Sequence, residues 1–477
     1  MTIMKTADGS AVAPVLPSAA SLRGELRHNL KLAAPLMAAQ LSFVGMHTVD
    51  TLMAGRLGAS SLAAVAVGAN IWFLAFIIFM GLFMSVSPIV AQRVGAGLPA
   101  AATGALLRNA LLLAVMLGAL WTAALNLVAD PVLDLLALDV DTRTLAEGYL
   151  RAISWAAIPF CLCFVMRNGC EGTGATRAPV IAGIVALLVN ALANLPLMYG
   201  YLGFPALGAV GTGWGTVVAV WAMTLVYALL YRLDPRLRAM QLFAGRPRLT
   251  RELREIFTLG IPICASVVAE AWLFNLGALL MAHFGGSVVA AHQIAINVAS
   301  LVFMVPLSIG LATAVRVGQA VGAGDGLAAV LRGRTGIALG AVFALLSAAC
   351  MALFSRPVVA LYTQAPDITD MAVRFLMLAA IFQLFDCLQA TTNGALRGFK
   401  DTRVPMAVTV SAYWLAGLPV AAWLSLGTSV GPAGVWCGFI VGLAIAAFGL
   451  GLRFRRRVQK TRRLTTTSTV NPSVLMS

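Results

Sequence analysis

Three carboxylic acids, Asp50, Glu270 and Asp386, lie inside long apolar stretches of this 477-residue chain. An ionised carboxylate at the centre of a bilayer costs at least about 2.5–3.5 kcal/mol, so such groups normally face a cavity, an ion or a proton pathway. The sequence places no Lys or Arg at a comparable depth, so a purely structural ion pair is not expected. We therefore predict that the three acids take up and release protons or bind a cation.

Two amides and a hydroxyl are the expected partners of Asp50. Asn190 and Asn194 are four residues apart, which places them on one face of a helix. They could hydrogen-bond a carboxyl group or coordinate a cation, although amides also join packed membrane helices. Thr216, in the run GTGWGT, is a further candidate for the same polar site. Pro35 lies about four helical turns before Asp50 and could act as a hinge or fix a static kink.

The elements that carry these residues are predicted to be membrane helices. The chain is 60% hydrophobic and 11% charged, with a mean hydropathy of +0.91. About twelve apolar runs are long enough to cross a hydrocarbon layer of about 30 Å. These runs are apolar on all sides, which excludes a β-barrel, whose strands alternate apolar and polar residues. The predicted fold is an all-α membrane protein of about twelve helices.

The chain also repeats itself. Residues 35–97 align without a gap on residues 262–324, so residue 35 matches residue 262 at an offset of 227. Within this alignment QRVGAG meets QAVGAG, and a second echo places GTGATRAP on GFKDTRVP, with Gly172 on Gly398 at an offset of 226. Such repeats are typical of secondary transporters. An even number of spans per repeat predicts two six-helix bundles related by a pseudo-twofold axis along the membrane normal.

The acids do not follow the repeat. Asp50 aligns with Gly277, Glu270 with Phe43 and Asp386 with Phe160. At the offset of 226, the counterparts of Asn190 and Asn194 are Ala416 and Val420. A single central site built equally from both halves is therefore not expected, and each half should have its own polar site.

Basic residues give the orientation. If both termini are cytoplasmic, all but five of the 33 Lys and Arg residues fall in cytoplasmic segments. This topology and contact with anionic lipid account for the net charge of +15, so nucleic acid is not an expected partner. The predicted organisation is an amino-terminal tail (1–25), a six-helix bundle (26–231), a cytoplasmic linker (232–254), a second bundle (255–453) and a basic cytoplasmic tail (454–477).

Enzymatic chemistry finds little support. The four histidines lack metal-site spacing, and neither a G-x-S-x-G elbow nor a Walker A run occurs. The seven cysteines all lie in apolar runs and are interpreted as small packing residues. We expect no cofactor and no enzyme activity, and energy from an ion gradient.

Four stretches resemble the multidrug and toxic compound extrusion (MATE) family, in its bacterial NorM-like branch. They are VDTLMAGRLGASSLAAVAVG (49–68), the QRVGAG and QAVGAG pair, the segment around Glu270, and FDCLQATTNGALRGFKDTRVP (385–405). The resemblance extends from about Leu26 to Arg453. It implies a V-shaped pair of bundles in the bacterial inner membrane that export organic cations in exchange for Na⁺ or H⁺.

The resemblance also implies roles for residues. Asp50, with Asn190, Asn194 and Thr216, matches the amino-lobe polar site of the family, and Pro35 matches its bend-forming proline. Glu270 and Asp386 match the carboxy-lobe pair tied to cation binding, where Na⁺ could bind. The protein is expected to act as a monomer on small organic cations. A lipid-linked oligosaccharide flippase, which needs basic residues in its cavity, and a non-transporting membrane enzyme or receptor are the alternatives.

Overall fold

The computed structural model describes residues 19–470, apart from residues 137, 249 and 251, and contains helices but no β-strand in this part. A helix satisfies its own backbone polar groups, which suits long runs without polar partners. The helices are α1 (Ala19–Gly55), α2 (Ala59–Phe83), α3 (Val86–Gly95), α4 (Ala100–Leu135), α5 (Val140–Ser154), α6 (Ala157–Thr173), α7 (Arg177–Tyr199), α8 (Ala209–Leu233), α9 (Pro235–Arg238), α10 (Leu253–Ala282), α11 (Gly286–Gly322), α12 (Gly326–Leu353), α13 (Ser355–Ala360), α14 (Pro366–Gly398), α15 (Arg403–Ser411), α16 (Leu418–Leu426) and α17 (Ala433–Val470).

These helices form twelve spans, six in each half. Eleven helical stretches of the described chain are long and apolar enough to cross a membrane, and α5 with α6, bent by 45°, makes a twelfth. Helices α2 and α3 form one span, and α15 and α16 form another through a π-helical segment, Ala412–Gly417. The predicted all-α membrane fold with two six-helix bundles is confirmed.

The outer helices overlap the predicted tails. Helix α1 begins at Ala19, inside the predicted amino-terminal tail, and α17 continues to Val470, inside the predicted basic tail. The rest of these two tails, residues 1–18 and 471–477, lies outside the described residues.

The linker between the halves packs on the amino-terminal bundle. Arg108 of α4 donates hydrogen bonds to the carbonyl oxygens of Gln241, at 3.1 Å, and of Ala244. The next residue, Asn109, accepts a hydrogen bond from the backbone N–H of Arg248 at 2.8 Å. We call the end of the bundles that carries this linker the linker end. Because each half has six spans, the start of α1 and the end of α17 lie at the same end.

The two copies of the repeated motif, QRVGAG (Gln92–Gly97) and QAVGAG (Gln319–Gly324), meet at the linker end. The side chain of Gln92 donates to the carbonyl oxygen of Gly398 in the other half at 2.9 Å. Its counterpart Gln319 donates to the carbonyl oxygen of Gly172 at 3.4 Å. Gly172 and Gly398 are themselves matched by the repeat, so the two hydrogen bonds are one contact made twice about the pseudo-twofold axis.

Two glycines of these motifs allow the backbones to touch. A Cβ on Gly95 would clash with the backbone carbonyl of Gln319, and a Cβ on Gly322 would clash with that of Gln92. Close backbone approach of this kind is the usual role of small residues between membrane helices. The motifs therefore hold the halves together at their closest point.

The other polar contacts between the halves lie at the same end. Within the part of the chain that the structure describes, they include Asn29 to Thr313 at 3.1 Å, Ser85 to the carbonyl oxygen of Ile256 at 3.2 Å, and the ion pair of Glu25 with Arg316. Farther from the linker end, a cavity of about 410 Å³ separates the halves. The molecule is therefore closed at the linker end.

We expect Gly95→Ala and Gly322→Ala each to destabilise this closed end, because the new methyl group meets a backbone carbonyl that cannot move aside. Overpacking of this kind costs about 1–3 kcal/mol. The melting temperature of the detergent-purified protein measures the loss. Gly451→Ala, where the methyl group would have no atom within 4 Å, is the matched control. Equal melting temperatures for all three variants would contradict the close packing.

Candidate functional site

The structure brings the four predicted residues of the amino-terminal polar site together. Oδ1 of Asp50 accepts hydrogen bonds from the side-chain amides of Asn190 at 3.1 Å and Asn194 at 2.7 Å. Its Oδ2 accepts one from the hydroxyl of Thr216 at 3.0 Å. Asp50 is 6% exposed, and both asparagines are fully buried. A carboxylate deep in an apolar bundle is thus held by three donors from two other helices.

Helices α1, α7 and α8 supply this site. The spacing of Asn190 and Asn194 by four residues puts both amides on the face of α7 that packs on α1, as predicted. Their amide nitrogens point to Asp50, whereas Oδ1 of each asparagine is buried without a hydrogen-bond partner among the described residues. The three protein donors take the place of water around the carboxyl group. The role of Asp50 in transport stays a prediction.

Glu270 and Asp386 line the cavity between the halves. Glu270 lies on α10 and Asp386 on α14, and both face the space of about 410 Å³. The amino-terminal half contributes mainly apolar side chains to the opposite wall, such as Phe73 and Met80 of α2. Asp50 is not among the cavity-lining residues. The two polar sites are therefore separate, as the repeat mapping predicts.

The surroundings of the two cavity acids differ. Oε2 of Glu270 lies 3.4 Å from the side-chain amide nitrogen of Gln389, which also donates to the hydroxyl of Tyr413 at 2.9 Å. Asp386 is 3% exposed, and its Oδ1 has no hydrogen-bond partner among the described residues. A buried carboxyl oxygen without a partner can accept a proton or coordinate a cation. The described chain contains no group of three or more His, Cys, Asp or Glu side chains arranged for a metal ion.

An arginine shares the cavity with the acids, so the expectation that no basic residue lies near them is wrong. Arg397, near the end of α14, lines the same cavity as Glu270 and Asp386. In the sequence, Arg397 stands at the end of an apolar run, which indicates a residue in a loop or at the membrane interface. The long side chain instead reaches back along the helix into the cavity.

A buried ion pair in α6 was not predicted from the sequence. Nε of Arg167 donates to Oε1 of Glu171 at 2.8 Å, and the Glu171 side chain is 2% exposed. Arg167 also donates to Gln40 of α1, which lines the cavity, at 2.8 Å. Opposite charges four residues apart on a helix could have revealed this pair, because such residues face each other.

Aromatic rings occupy the places in the amino-terminal half that correspond to the cavity acids. Phe43 aligns with Glu270 and Phe160 with Asp386, and the two rings contact each other with centroids 5.6 Å apart. In the second half, the acids at these two positions line one cavity. One half fills them with an aromatic pair and the other with a pair of acids.

The reverse exchange occurs at the position of Asp50. Its counterpart Gly277 lies against the ring of Phe439, which leaves no space for a Cβ. Thr216 follows Gly215 in the first half, and Phe439 follows Gly438 in the matching glycine-spaced run of the second half. Phe439 is therefore the counterpart of Thr216. The carboxyl group and hydroxyl of one half are thus replaced by a glycine and an aromatic ring in the other.

The packing corrects the counterparts of the two asparagines. Gly215 packs on Asn194 in the first half. Gly438 packs in the same way on Ala421 in the second half. Asn194 therefore corresponds to Ala421, not to Val420, and Asn190 corresponds to Gly417, not to Ala416. One additional residue lies between Pro405 and Ala421, which the sequence alignment did not detect.

Pro35 lies within α1, which is helical on both sides of it. The next residue, Leu36, is 1% exposed and packs with Ile309 and Ala312 of α11 in the other half. Proline removes one backbone hydrogen bond from a helix, so α1 is weakened close to where it contacts the second half. The hinge role of Pro35 stays a prediction.

Comparison with known proteins gives the family. The model of the MatE family matches residues 35–195 and 262–423, one copy in each half. The multidrug resistance protein PmpM of Pseudomonas aeruginosa is 39% identical over 456 residues, which cover 94% of this chain and 95% of that protein. A probable multidrug resistance protein NorM of Idiomarina loihiensis is 38% identical, over 91% of this chain and 95% of its own length.

A solved structure has the same fold. It is described as the outward-facing conformation of a multidrug resistance MATE family transporter of the MOP superfamily. The two chains superpose with a TM-score of 0.83 at 21% identity, over 93% of this chain and 98% of the other. At this identity the likeness concerns the fold alone.

We expect Asp50→Ala to destabilise the protein more than Asp50→Asn. Alanine leaves the donors on Asn190, Asn194 and Thr216 unpaired, at about 1–3 kcal/mol each. Asparagine still presents an oxygen to the two amides, and the Thr216 hydroxyl can rotate to accept from its nitrogen. Thermal unfolding in detergent measures the difference, with Asp367→Ala, at an exposed acid, as the control. Equal stability of the two Asp50 variants would show that these hydrogen bonds do not contribute.

Proposed function

The chain belongs to the MatE family of multidrug transporters, and we propose that it is a secondary active antiporter that exports organic cations in exchange for Na⁺ or H⁺. The observation that carries the proposal is the cavity of about 410 Å³ between the halves, with Glu270 and Asp386 in its wall. Sites of about 300–1,000 Å³ hold drug-sized molecules.

The cavity wall suits a lipophilic cation. Aromatic rings from both halves, Phe73, Phe274 and Phe303, can pack on flat apolar groups and attract a positive charge over their faces. Two acids face one arginine, so the cavity carries an excess of negative charge when both acids are ionised. This excess favours a cation over the pyrophosphate-linked substrate of a flippase, which requires basic groups.

Glu270 and Asp386 are the proposed coupling residues. Na⁺ prefers oxygen ligands, which the two carboxyl groups can supply. Protons would instead neutralise the same carboxyl groups and weaken their hold on a cationic substrate. In either case, the coupling ion and the drug compete for the same negative charge, which is the basis of exchange.

We propose that the linker end faces the cytoplasm of a bacterial cell, because the basic residues concentrate there. The cavity is then closed toward the cytoplasm, and export requires the motifs around Gln92 and Gln319 to separate in the opposite state. Both halves are on one chain, so the cavity is complete in a monomer embedded in the inner-membrane lipid.

Dye efflux from proteoliposomes tests the coupling assignment. With a Na⁺ or an H⁺ gradient imposed separately, the wild-type protein should transport an ethidium-like cation under at least one of them. We expect Glu270→Gln and Asp386→Asn each to reduce the rate to less than about a tenth, since neither amide can exchange a proton or supply a full negative charge. Asp141→Asn, at an exposed acid, should be unaffected. Wild-type rates in either cavity variant would rule the assignment out.

Asp50 is proposed to be a switch, separate from the cavity acids. Protonation would remove the charge that Asn190 and Asn194 solvate and allow α1 to repack about Pro35. We expect Asp50→Asn to bind the cationic dye as the wild type does, because the cavity acids remain, but to fail in turnover. Fluorescence titration measures binding and the efflux assay measures turnover. Loss of dye binding in this variant would instead identify Asp50 as a substrate ligand.

A further inference from the structure

The eleventh span contains one more residue than its counterpart in the first half. The matched prolines Pro179 and Pro405 have an offset of 226, whereas Asn194 and Ala421, matched by packing, have an offset of 227. The counterpart helix α7 is a regular α-helix throughout. In the eleventh span the π-helical segment Ala412–Gly417 lies between the two matched pairs. A π turn of this kind absorbs a single inserted residue, and such turns are frequent at functional sites.

The π turn contains Tyr413, which is fully buried and does not line the cavity. Its hydroxyl accepts a hydrogen bond from the Gln389 amide at 2.9 Å. The same amide nitrogen lies 3.4 Å from Oε2 of Glu270. A chain of three polar groups therefore leads from the eleventh span, behind the cavity wall, to a carboxyl group inside the cavity.

This chain has no counterpart in the other half. Cys163 corresponds to Gln389 and Phe43 to Glu270. Tyr413 lies where the offset changes from 226 to 227, so its counterpart is Ala186 or Leu187, both apolar. The inserted residue, the tyrosine, the glutamine and the acid therefore occur together in one half and are absent together from the other. Helix packing alone does not require these residues to occur together, since the first half has apolar residues at the same places.

The direction of the hydrogen bonds depends on the charge of Glu270. An ionised carboxylate only accepts hydrogen bonds, so the NH₂ group of Gln389 must face it, and its second hydrogen is given to Tyr413. A protonated Glu270 can donate, and then the amide oxygen is the better partner. In this structure the Tyr413 hydroxyl accepts from the Gln389 amide, which favours the orientation in which the NH₂ group faces Glu270.

We propose that Tyr413 and Gln389 are positioning residues that set the affinity of Glu270 for the coupling ion. The inference rests on the proposed antiport function and deepens it. Tyr413 holds the NH₂ group of Gln389 toward Glu270, which fixes the position of the carboxyl group that binds the coupling ion. The other charged groups on this cavity are Asp386 and Arg397, both on α14. The cavity-lining residues of α1, α2 and α11 include no titratable side chain.

The test is Tyr413→Phe, which removes the hydroxyl and keeps the buried ring. We expect the Na⁺ concentration for half-maximal dye efflux to rise by about three- to tenfold, the effect of losing one buried hydrogen bond. The Na⁺ concentration that displaces half of the bound dye in detergent should rise by the same factor. A structural defect alone would reduce the amount of active protein and leave these midpoints unchanged.

Tyr231→Phe is the matched control. Tyr231 is also a buried tyrosine, and its hydroxyl donates to the carbonyl oxygen of Met166 at 3.0 Å, in the other half. This variant should leave both midpoints in place. Gln389→Met, which keeps the length of the side chain without its amide, should shift them in the same direction as Tyr413→Phe. If Tyr413→Phe does not fold, Gln389→Met still tests the inference.

Unchanged midpoints in both Tyr413→Phe and Gln389→Met, or an equal shift in Tyr231→Phe, would overturn the inference. A wild-type protein that transports under neither gradient would instead overturn the proposed function. In that case the displacement of bound dye by Na⁺ in detergent still tests the positioning role. If Tyr413→Phe leaves the midpoint of this displacement unchanged, the inference is overturned as well.

Discussion

The closest contact between the two halves is one contact made twice. In each copy of the repeated motif, the glutamine side chain donates a hydrogen bond to a glycine carbonyl of the other half. A glycine of each motif also packs directly on the backbone of the other motif. A twofold arrangement requires such reciprocity, since whatever one half offers, the other must accept. The cavity, its mixed walls and the separation of the two polar sites all follow from halves that are joined at one end.

Within this symmetric frame the chemistry is asymmetric. Acids on α10 and α14 correspond to the Phe43 and Phe160 ring pair, and Asp50 with Thr216 corresponds to Gly277 with Phe439. Each position is polar in one half and aromatic or small in the other. An acid in an apolar bundle is costly unless it has donors or faces a cavity, and a ring or glycine fills the same space without that requirement. The exchange gives each half one ionisable site and one well-packed counterpart.

The sequence predicted those features that repeat at a fixed spacing. The spans follow from unbroken apolar runs, and the proximity of Asn190 and Asn194 to Asp50 follows from a helical spacing of four. Arg397 was missed because its Cα lies at the end of a run, and only the direction of its side chain brings it to Glu270. The link of Tyr413 to Gln389 was missed for another reason. It depends on a change of helical register that has no local signature in the residue types, and it appears only when packed glycines are compared between the halves.

The doubled contact at the linker end also has a consequence for how such a protein can evolve. In an assembly of two identical six-helix chains, any change in the motif would strengthen or weaken both copies together. Fusion into one polypeptide separates them, as the second motif already shows by carrying Ala320 where the first carries Arg93. Selection can therefore adjust the lifetime of the closed state by changing one copy of the contact at a time. A single substitution then alters only half of the doubled contact between the two bundles.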